Sequence, residues 1–438
     1  MSDRRDVYIV DGSRTPQLKA RGKPGPFSAS DLAVSAGRAL LMRHNFDLGE
    51  LDEVIIGCVM PSEDEANIGR VIALRLGVPQ TVPAWTVQRN CASGMQSIDS
   101  AYHNIANGQS DLVLAGGVEA MSRAPLLYNR TMVHWMADLM QAKTFGQKLK
   151  VFSRFRLGHL KPVIALLRGL TDPVVGLNMG QTAENIAAKF GITRQQMDSF
   201  AVDSHHRLAA AQAAGHLDEI EVIYDAAGRY YDHDDGVRAE SSTEKLAKLR
   251  PVFDRKYGNV TAGNSAQVTD GATLLLLASE DAVREHKLPV LAKIVDTQWA
   301  GLDPAVMGMG PVHAMGPIMD RQQLASSDID YWEINEAFAT QVLGCVQAWK
   351  DDDYCRTHLG REKAFGEIPH ERLNVDGGGV SLGHPVGASG ARIVLHLAKV
   401  LQRNRAARGM ASLCIGGGQG GAMLIENVSE NPDQSEAA

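Results

Sequence analysis

Apolar positions along the chain fall into short runs that alternate with helically spaced segments. Val7-Tyr8-Ile9-Val10, Val54-Ile55-Ile56 and Leu112-Val113-Leu114-Ala115 are compact runs of strand type. Between the last two, Met95, Ile98, Tyr102 and Ile105 recur at helical spacing, and Gly108 closes that segment. Strands alternating with helices predict an α/β fold. The pattern also echoes itself. Helix 91–107, Gly108 and a strand running into Gly116-Gly117 have a counterpart in a helix over 387–403, Gly409, and Ala411–Ile415 running into Gly416-Gly417-Gly418. Two similar halves would gather equivalent strand ends and helix starts around one centre.

From 122 to 250 the alternation disappears. This segment is rich in helix formers and basic residues, with a helix start capped by Thr182, a helix over 194–214 and a loop at Asp232–Gly236. We read it as an insertion folded over the first half that helps to bind substrate. The domain reading is therefore 1–285 (containing the insertion 122–250), then 290–427, then a polar, acidic, frayed tail at 428–438.

Composition narrows the functional classes. A chain of 438 residues has room for a large core, and 44% hydrophobic with 22% charged residues is an ordinary globular balance. A net charge of −7 argues against nucleic acid as a ligand. Five cysteines, an odd number without a CxxC pair, point to a reducing compartment and away from zinc, so no metal site is expected. The few polar residues before Val7 leave no space for a leader, and no apolar run reaches membrane length. The expected location is the cytoplasm.

Candidate chemistry begins at Asn90-Cys91-Ala92-Ser93-Gly94. A cysteine at a helix start meets unpaired N–H groups and the positive end of the helix dipole, which favour thiolate. The alternative is a small buried hydrophobe. His384 lies in the glycine-rich stretch 374–390, just before a helix, where the backbone can approach a ligand closely; otherwise it is a histidine satisfied in a turn. Cys414-Ile415-Gly416-Gly417-Gly418 is a strand end entering a turn whose N–H groups could hold an anion or oxyanion, or a turn that is glycine-rich for steric reasons only. Glu333-Ile334-Asn335-Glu336-Ala337-Phe338 places polar residues at another strand end, and Met179-Gly180-Gln181-Thr182 reads as a helix start.

Together these segments, in this order from Arg14 to Glu426, resemble the thiolase family. The resemblance implies the thiolase fold, five layers of α-β-α-β-α with an inserted loop domain. It also implies an acyltransferase in which Cys91 becomes acylated, His384 is the general base and Cys414 is a second acid/base. His384 with a water held by Asn335 would stabilise an enolate oxygen, and the N–H groups of Cys91 and Gly416 a tetrahedral oxyanion. Coenzyme A would be a co-substrate, with no prosthetic group, and would be contacted by Met179, Arg238, Ala262, Ser265 and Ala266. The implied activity is a 3-ketoacyl-CoA thiolase of fatty-acid β-oxidation; the alternative is an acetoacetyl-CoA thiolase working in synthesis. A homodimer or dimer of dimers is expected.

The sequence departs from many short-chain thiolases at Asn264-Ser265-Ala266-Gln267, where they read Asn-Ala-Ser-Gly, and at Asn178, where a histidine often precedes the methionine. Segment 135–170 carries Lys143, Lys148, Lys150, Arg154, Arg156, Lys161 and Arg168 interleaved with apolar residues. It is either an ordinary surface helix or a basic patch for the coenzyme A phosphates, or else an interface for a partner or an anionic membrane. Its length and charge resemble the β subunits of β-oxidation complexes, which implies a hydratase/3-hydroxyacyl-CoA dehydrogenase α subunit as partner. Those β subunits often carry histidine where Asn335 stands.

Overall fold

The structure is a computed structural model and describes residues 4–428. The tail expected at 428–438 lies outside them apart from its first residue.

Along the first half run β1 (Val7–Arg14), α1 (Ala29–Met42), β2 (Glu53–Gly57), α2 (Ile68–Leu76), β3 (Ala84–Val87), α3 (Ser93–Ala106) and β4 (Leu112–Ala120). The middle of the chain adds α4 (Arg130–Gln141), α5 (Phe145–Phe152), α6 (Met179–Phe190) and α7 (Arg194–Ala214), and β5 (Thr269–Ser279) then returns to the first sheet. The second half comprises β6 (Ala292–Gly301), α8 (Gly310–Arg321), β7 (Tyr331–Ile334), α9 (Ala339–Trp349), α10 (Val386–Asn404), β8 (Arg408–Ile415) and β9 (Gln419–Glu426).

The repeat read from the sequence is a repeat of topology. In the first half β2 is parallel to β4, β4 antiparallel to β5, and β5 antiparallel to β1. In the second half β7, β8, β9 and β6 follow the same order and senses. The halves join where Val7–Ile9 of β1 pairs antiparallel with Ala292–Ile294 of β6.

Alternation along the buried strands builds the layers. Val54, Ile56, Leu112, Leu114, Leu274 and Leu276 face outward onto α1 and α2. Their neighbours Ile55, Val113, Leu275 and Leu277 face inward onto α3 and α10, which also take Leu413, Ile415, Met423 and Ile425 from the second sheet. The outer face of that sheet, with Met410 and Leu424, packs on α8 and α9. This is the thiolase fold, with five layers of α-β-α-β-α. The central helices cross so closely that a Cβ on Gly94 would sit 2.8 Å from the Gly387 carbonyl oxygen and 2.9 Å from the Ala391 nitrogen. Glycine is required there by backbone contact.

Two expectations need correction. The insertion lies over both halves rather than the first alone: Ile223 packs into the first half's cluster and Asp234 pairs with Arg14 of β1, but Ala183, Ile186 and Ala187 of α6 are buried in the apolar cluster of the second half, with Val342 and Cys345 of α9. The apolar stripe of α6 determines where it docks. Nor does Thr182 cap α6. The helix starts a turn earlier, where the Asn178 side chain accepts from Gln181 N at 3.0 Å, and Thr182 Oγ1 donates instead to Met179 O at 2.7 Å.

Candidate active site

The polypeptide turns sharply ahead of α3. Asn90 has φ +43°, a left-handed conformation that asparagine tolerates better than most residues. Its Nδ2 donates to Gly416 O at 2.7 Å, tying this elbow to the turn after β8. Ser93 Oγ secures it from inside by donating to Asn90 O at 2.7 Å and accepting from Arg89 N at 2.9 Å. Cys91 therefore precedes the first helical turn, since Ala92 is the N-cap. The thiol is not poised as a thiolate. Burial raises its pKa, opposed by the N–H groups of Gly416 and of Cys91 itself, which face the sulfur. Desolvation outweighs the helix start because the cysteine precedes the first helical turn and is packed among its neighbours at the cavity wall.

Cys91, His384 and Cys414 line one cavity of ≈ 450 Å³, together with Met179, Ser265 and Ala266. A second cavity of ≈ 440 Å³ also opens on Cys91, and reaches along Val59, Met60, Leu170 and Val174. The Cys414 thiol is buried and pushed well above its ordinary range by desolvation, with Cys91 adding to it. His384 is buried at the turn before α10. Burial, with the Arg392 guanidinium, lowers its pKa to about 4, so the imidazole is neutral at neutral pH. Its Nδ1 lies 2.6 Å from Ser389 Oγ, and its Nε2 has no partner among the described residues. Asn335 is buried at the end of β7, and neither its Nδ2 nor its Oδ1 has a partner among the described residues. Gly416 lines the second cavity.

Other expected contacts are not brought together. Arg238 lines a separate cavity with Ser241, Lys245 and Leu249, and Ala262 is exposed. Ser265 Oγ donates to Thr261 O at 2.7 Å. Sequence reasoning also gave no role to two buried carboxyls, Glu119 and Glu336. Glu119, at the end of β4, accepts from Val59 N (2.9 Å), Met60 N (3.0 Å) and Gly387 N (3.1 Å), joining the second cavity to the start of α10. Burial raises its pKa to about 7 against those three donors. Glu336 accepts from Ser204 Oγ (2.7 Å), Asn374 Nδ2 (2.9 Å) and Val380 N (3.1 Å), and so fixes the stretch leading to His384. Nothing local in the sequence marks Glu119. Glu336 stands beside Asn335, where adjacency was the available signal.

Segment 135–170 is not one basic helix. It comprises α4, α5 and short pieces, folded around Trp135, whose ring meets Phe152 at 5.6 Å and Phe155 at 5.1 Å. Met140, Phe145, Leu149 and Leu157 remain exposed, at 86%, 83%, 61% and 84%.

A five-layer fold that gathers two thiols and a buried, neutral imidazole around one cavity defines an acyl-transfer enzyme that works through sulfur. The chain belongs to the thiolase family and is an acyltransferase. The family's N-terminal domain matches residues 7–281 and its C-terminal domain residues 288–427. The mitochondrial 3-ketoacyl-CoA thiolase of Mus musculus is 39% identical over 430 residues, covering 97% of this chain and 99% of the relative. The mitochondrial trifunctional enzyme subunit beta of the same species is 36% identical over 424 residues, covering 96% and 88%. Among solved structures, human mitochondrial 3-ketoacyl-CoA thiolase in complex with CoA superposes with a TM-score of 0.82 at 36% identity, covering 97% of this chain and 98% of that one. The acetyl-CoA acetyltransferase of Bacillus anthracis gives 0.83 at 34% identity, covering 98% and 100%.

Proposed function

We propose that the protein is a 3-ketoacyl-CoA thiolase acting in the degradative direction, on substrates longer than acetoacetyl-CoA. The observation that carries this reading is the meeting of two cavities at Cys91: one holds the candidate acid/base groups, and the other is walled by Val59, Met60, Leu170 and Val174 and has room for an acyl tail. Similarity to named 3-ketoacyl-CoA thiolases supports it.

The chemistry follows from the protonation states. With both partners neutral, the Cys91 thiol passes its proton to His384 as sulfur attacks the C3 carbonyl, and the N–H groups of Cys91 and Gly416 receive the oxyanion. When the C2–C3 bond breaks, the electron pair moves onto the acetyl thioester. His384 and Asn335, through a water, stabilise that enolate while Cys414 protonates C2. Cys414 then takes the proton of incoming coenzyme A, whose sulfur attacks the acyl group on Cys91. The departing Cys91 sulfur recovers its proton from His384, and all groups return to their starting state.

The test compares kcat/KM for acetoacetyl-CoA and 3-ketohexadecanoyl-CoA. Preference for the long substrate is expected; a strong preference for the C4 substrate would establish the synthetic acetoacetyl-CoA reading, which likeness to an acetyl-CoA acetyltransferase supports.

We further propose that the exposed apolar and basic surface of α4 and α5 receives a hydratase/3-hydroxyacyl-CoA dehydrogenase subunit. Likeness to a trifunctional enzyme subunit beta and exposed Phe145 and Leu149 beside Lys148 and Lys150 support this. Co-purification of the native protein checks it, and binding to anionic vesicles instead would assign the surface to a membrane.

A further inference from the structure

His384 can act as a base only from a ring nitrogen that carries a lone pair, and a neutral imidazole has one such nitrogen. Which nitrogen that is depends on the hydrogen bond made by the other. Ser389, one turn into α10, supplies that bond. Its Oγ lies 2.6 Å from His384 Nδ1 and 3.1 Å from Pro385 O, and all three groups are buried.

The hydroxyl has a single proton, and the two arrangements differ in what they satisfy. If that proton goes to Pro385 O, the serine oxygen accepts Nδ1–H, and both contacts are hydrogen bonds. If it goes to Nδ1, two oxygens face each other at 3.1 Å without a proton between them, and Nε2–H is buried without an acceptor among the described residues. Pro385 O already accepts from Ala388 N (2.9 Å) and Ser389 N (3.0 Å), so it does not by itself demand the hydroxyl. The difference lies in the imidazole. Buried orphan N–H groups are rarer than under-used lone pairs.

We propose that Ser389 is a positioning residue that fixes His384 in the Nδ1–H tautomer, leaving Nε2 bare toward the cavity that holds Cys91 and Cys414. Its catalytic meaning rests on the thiolase reading above, whereas the tautomer does not. The bond is also local: Ser389 belongs to the same helix entry as His384, so formation of α10 sets the histidine's protonation pattern as it sets its position.

The test has two arms. In the full-length protein with ¹⁵N-labelled histidine, the resonances that vanish in His384→Gln should show a pyrrole-type Nδ1 and a pyridine-type Nε2 at neutral pH. The reversed pattern, or equal shifts on the two nitrogens, overturns the proposal. In thiolysis assays, Ser389→Ala should lower kcat by about 10- to 100-fold with KM within about threefold of the parent. Ser389→Thr, which keeps the hydroxyl, should restore most of kcat. Parental kcat in Ser389→Ala overturns the proposal, and so does failure of the threonine variant to exceed the alanine one. If the parent shows the expected nitrogen pattern yet cleaves no 3-ketoacyl-CoA, the functional reading fails and the tautomer assignment stands.

Discussion

Cys91 shows how burial and local backbone compete over a single side chain. The segment before α3 brings N–H groups to the sulfur, but desolvation raises the thiol pKa. The rate of Cys91 carbamidomethylation by iodoacetamide should therefore keep rising through and above pH 8.5, roughly the ordinary thiol range. A plateau near neutrality would instead mark a resting thiolate. Asn335 poses the complementary case of a buried amide with no partner on either atom among the described residues. Asn335→Ala should slow turnover by orders of magnitude, since one oxyanion-type donor is worth about 2.7–4 kcal/mol of barrier. Carbamidomethylation of Cys91 should continue in that variant. Near-parental turnover would remove Asn335 from the mechanism.

At the scale of elements, the site is assembled where strand ends and helix starts are tied together. Glu119 joins the end of β4 to the 59–60 turn and to the start of α10 through three backbone donors. Glu119→Gln replaces one acceptor oxygen by an NH₂ facing those donors. It should cost about 1–3 kcal/mol of stability for the N–H left unpaired. A denaturant titration checks this, and an unchanged midpoint with an unchanged slope would show that the junction does not depend on the carboxylate. The crossing of α3 and α10 admits even less. Gly94→Ala would press its methyl on the Gly387 carbonyl and the Ala391 nitrogen, both backbone, so the helices must separate or the site must distort.

Across the whole molecule, a buried ionic chain links the halves to the middle of the chain. Arg14 of β1 pairs with Asp234 at 2.8 Å and with Glu219 at 3.1 Å. His396 of α10 sits 3.1 Å from both Glu219 and Asp376, and Arg403 closes the chain on Asp376 at 2.6 Å. Burial alone would lower the His396 pKa, but Glu219 and Asp376 overcome it and raise it to about 10. Its ionisation therefore stabilises the fold fully below its ordinary pKa of roughly 6.5, and that contribution is lost as pH rises through about 10. Burial opposes ionisation of Asp376 too, yet His396 and Arg403 hold it down at about 2, and Glu219 is held well below its usual range. The carboxylate contributions are present above the ordinary carboxylate range and fade as pH falls toward 2. Tm should thus be highest between the ordinary carboxylate range and a pH of roughly 6.5, fall progressively from there as pH rises toward about 10, and fall again in acid. In His396→Gln the alkaline fall should shrink and the neutral Tm should drop, because Glu219 and Asp376 lose their shared partner. An unchanged alkaline limb would show that other groups control it.

Much of this was legible in the sequence because it was local. Periodicity marked α3, α10 and the strands beside them, and the repeated order of helix, glycine and strand foretold two halves with one topology. Motif residues named Cys91, His384, Asn335 and Cys414, since each stands beside glycines or at a strand end. Other features depend on contacts between residues far apart in the chain. No local pattern shows that α6 docks on the second half, that Glu119 ties the 59–60 turn to the start of α10, or that Arg238 lines a different cavity from Cys91. Nor could the protonation of Cys91 be read from its helix start, because burial is a property of the packed layers. The sequence by itself determined the elements and the reactive groups; tertiary structure decided their surroundings, and desolvation there governs which of them carry a proton.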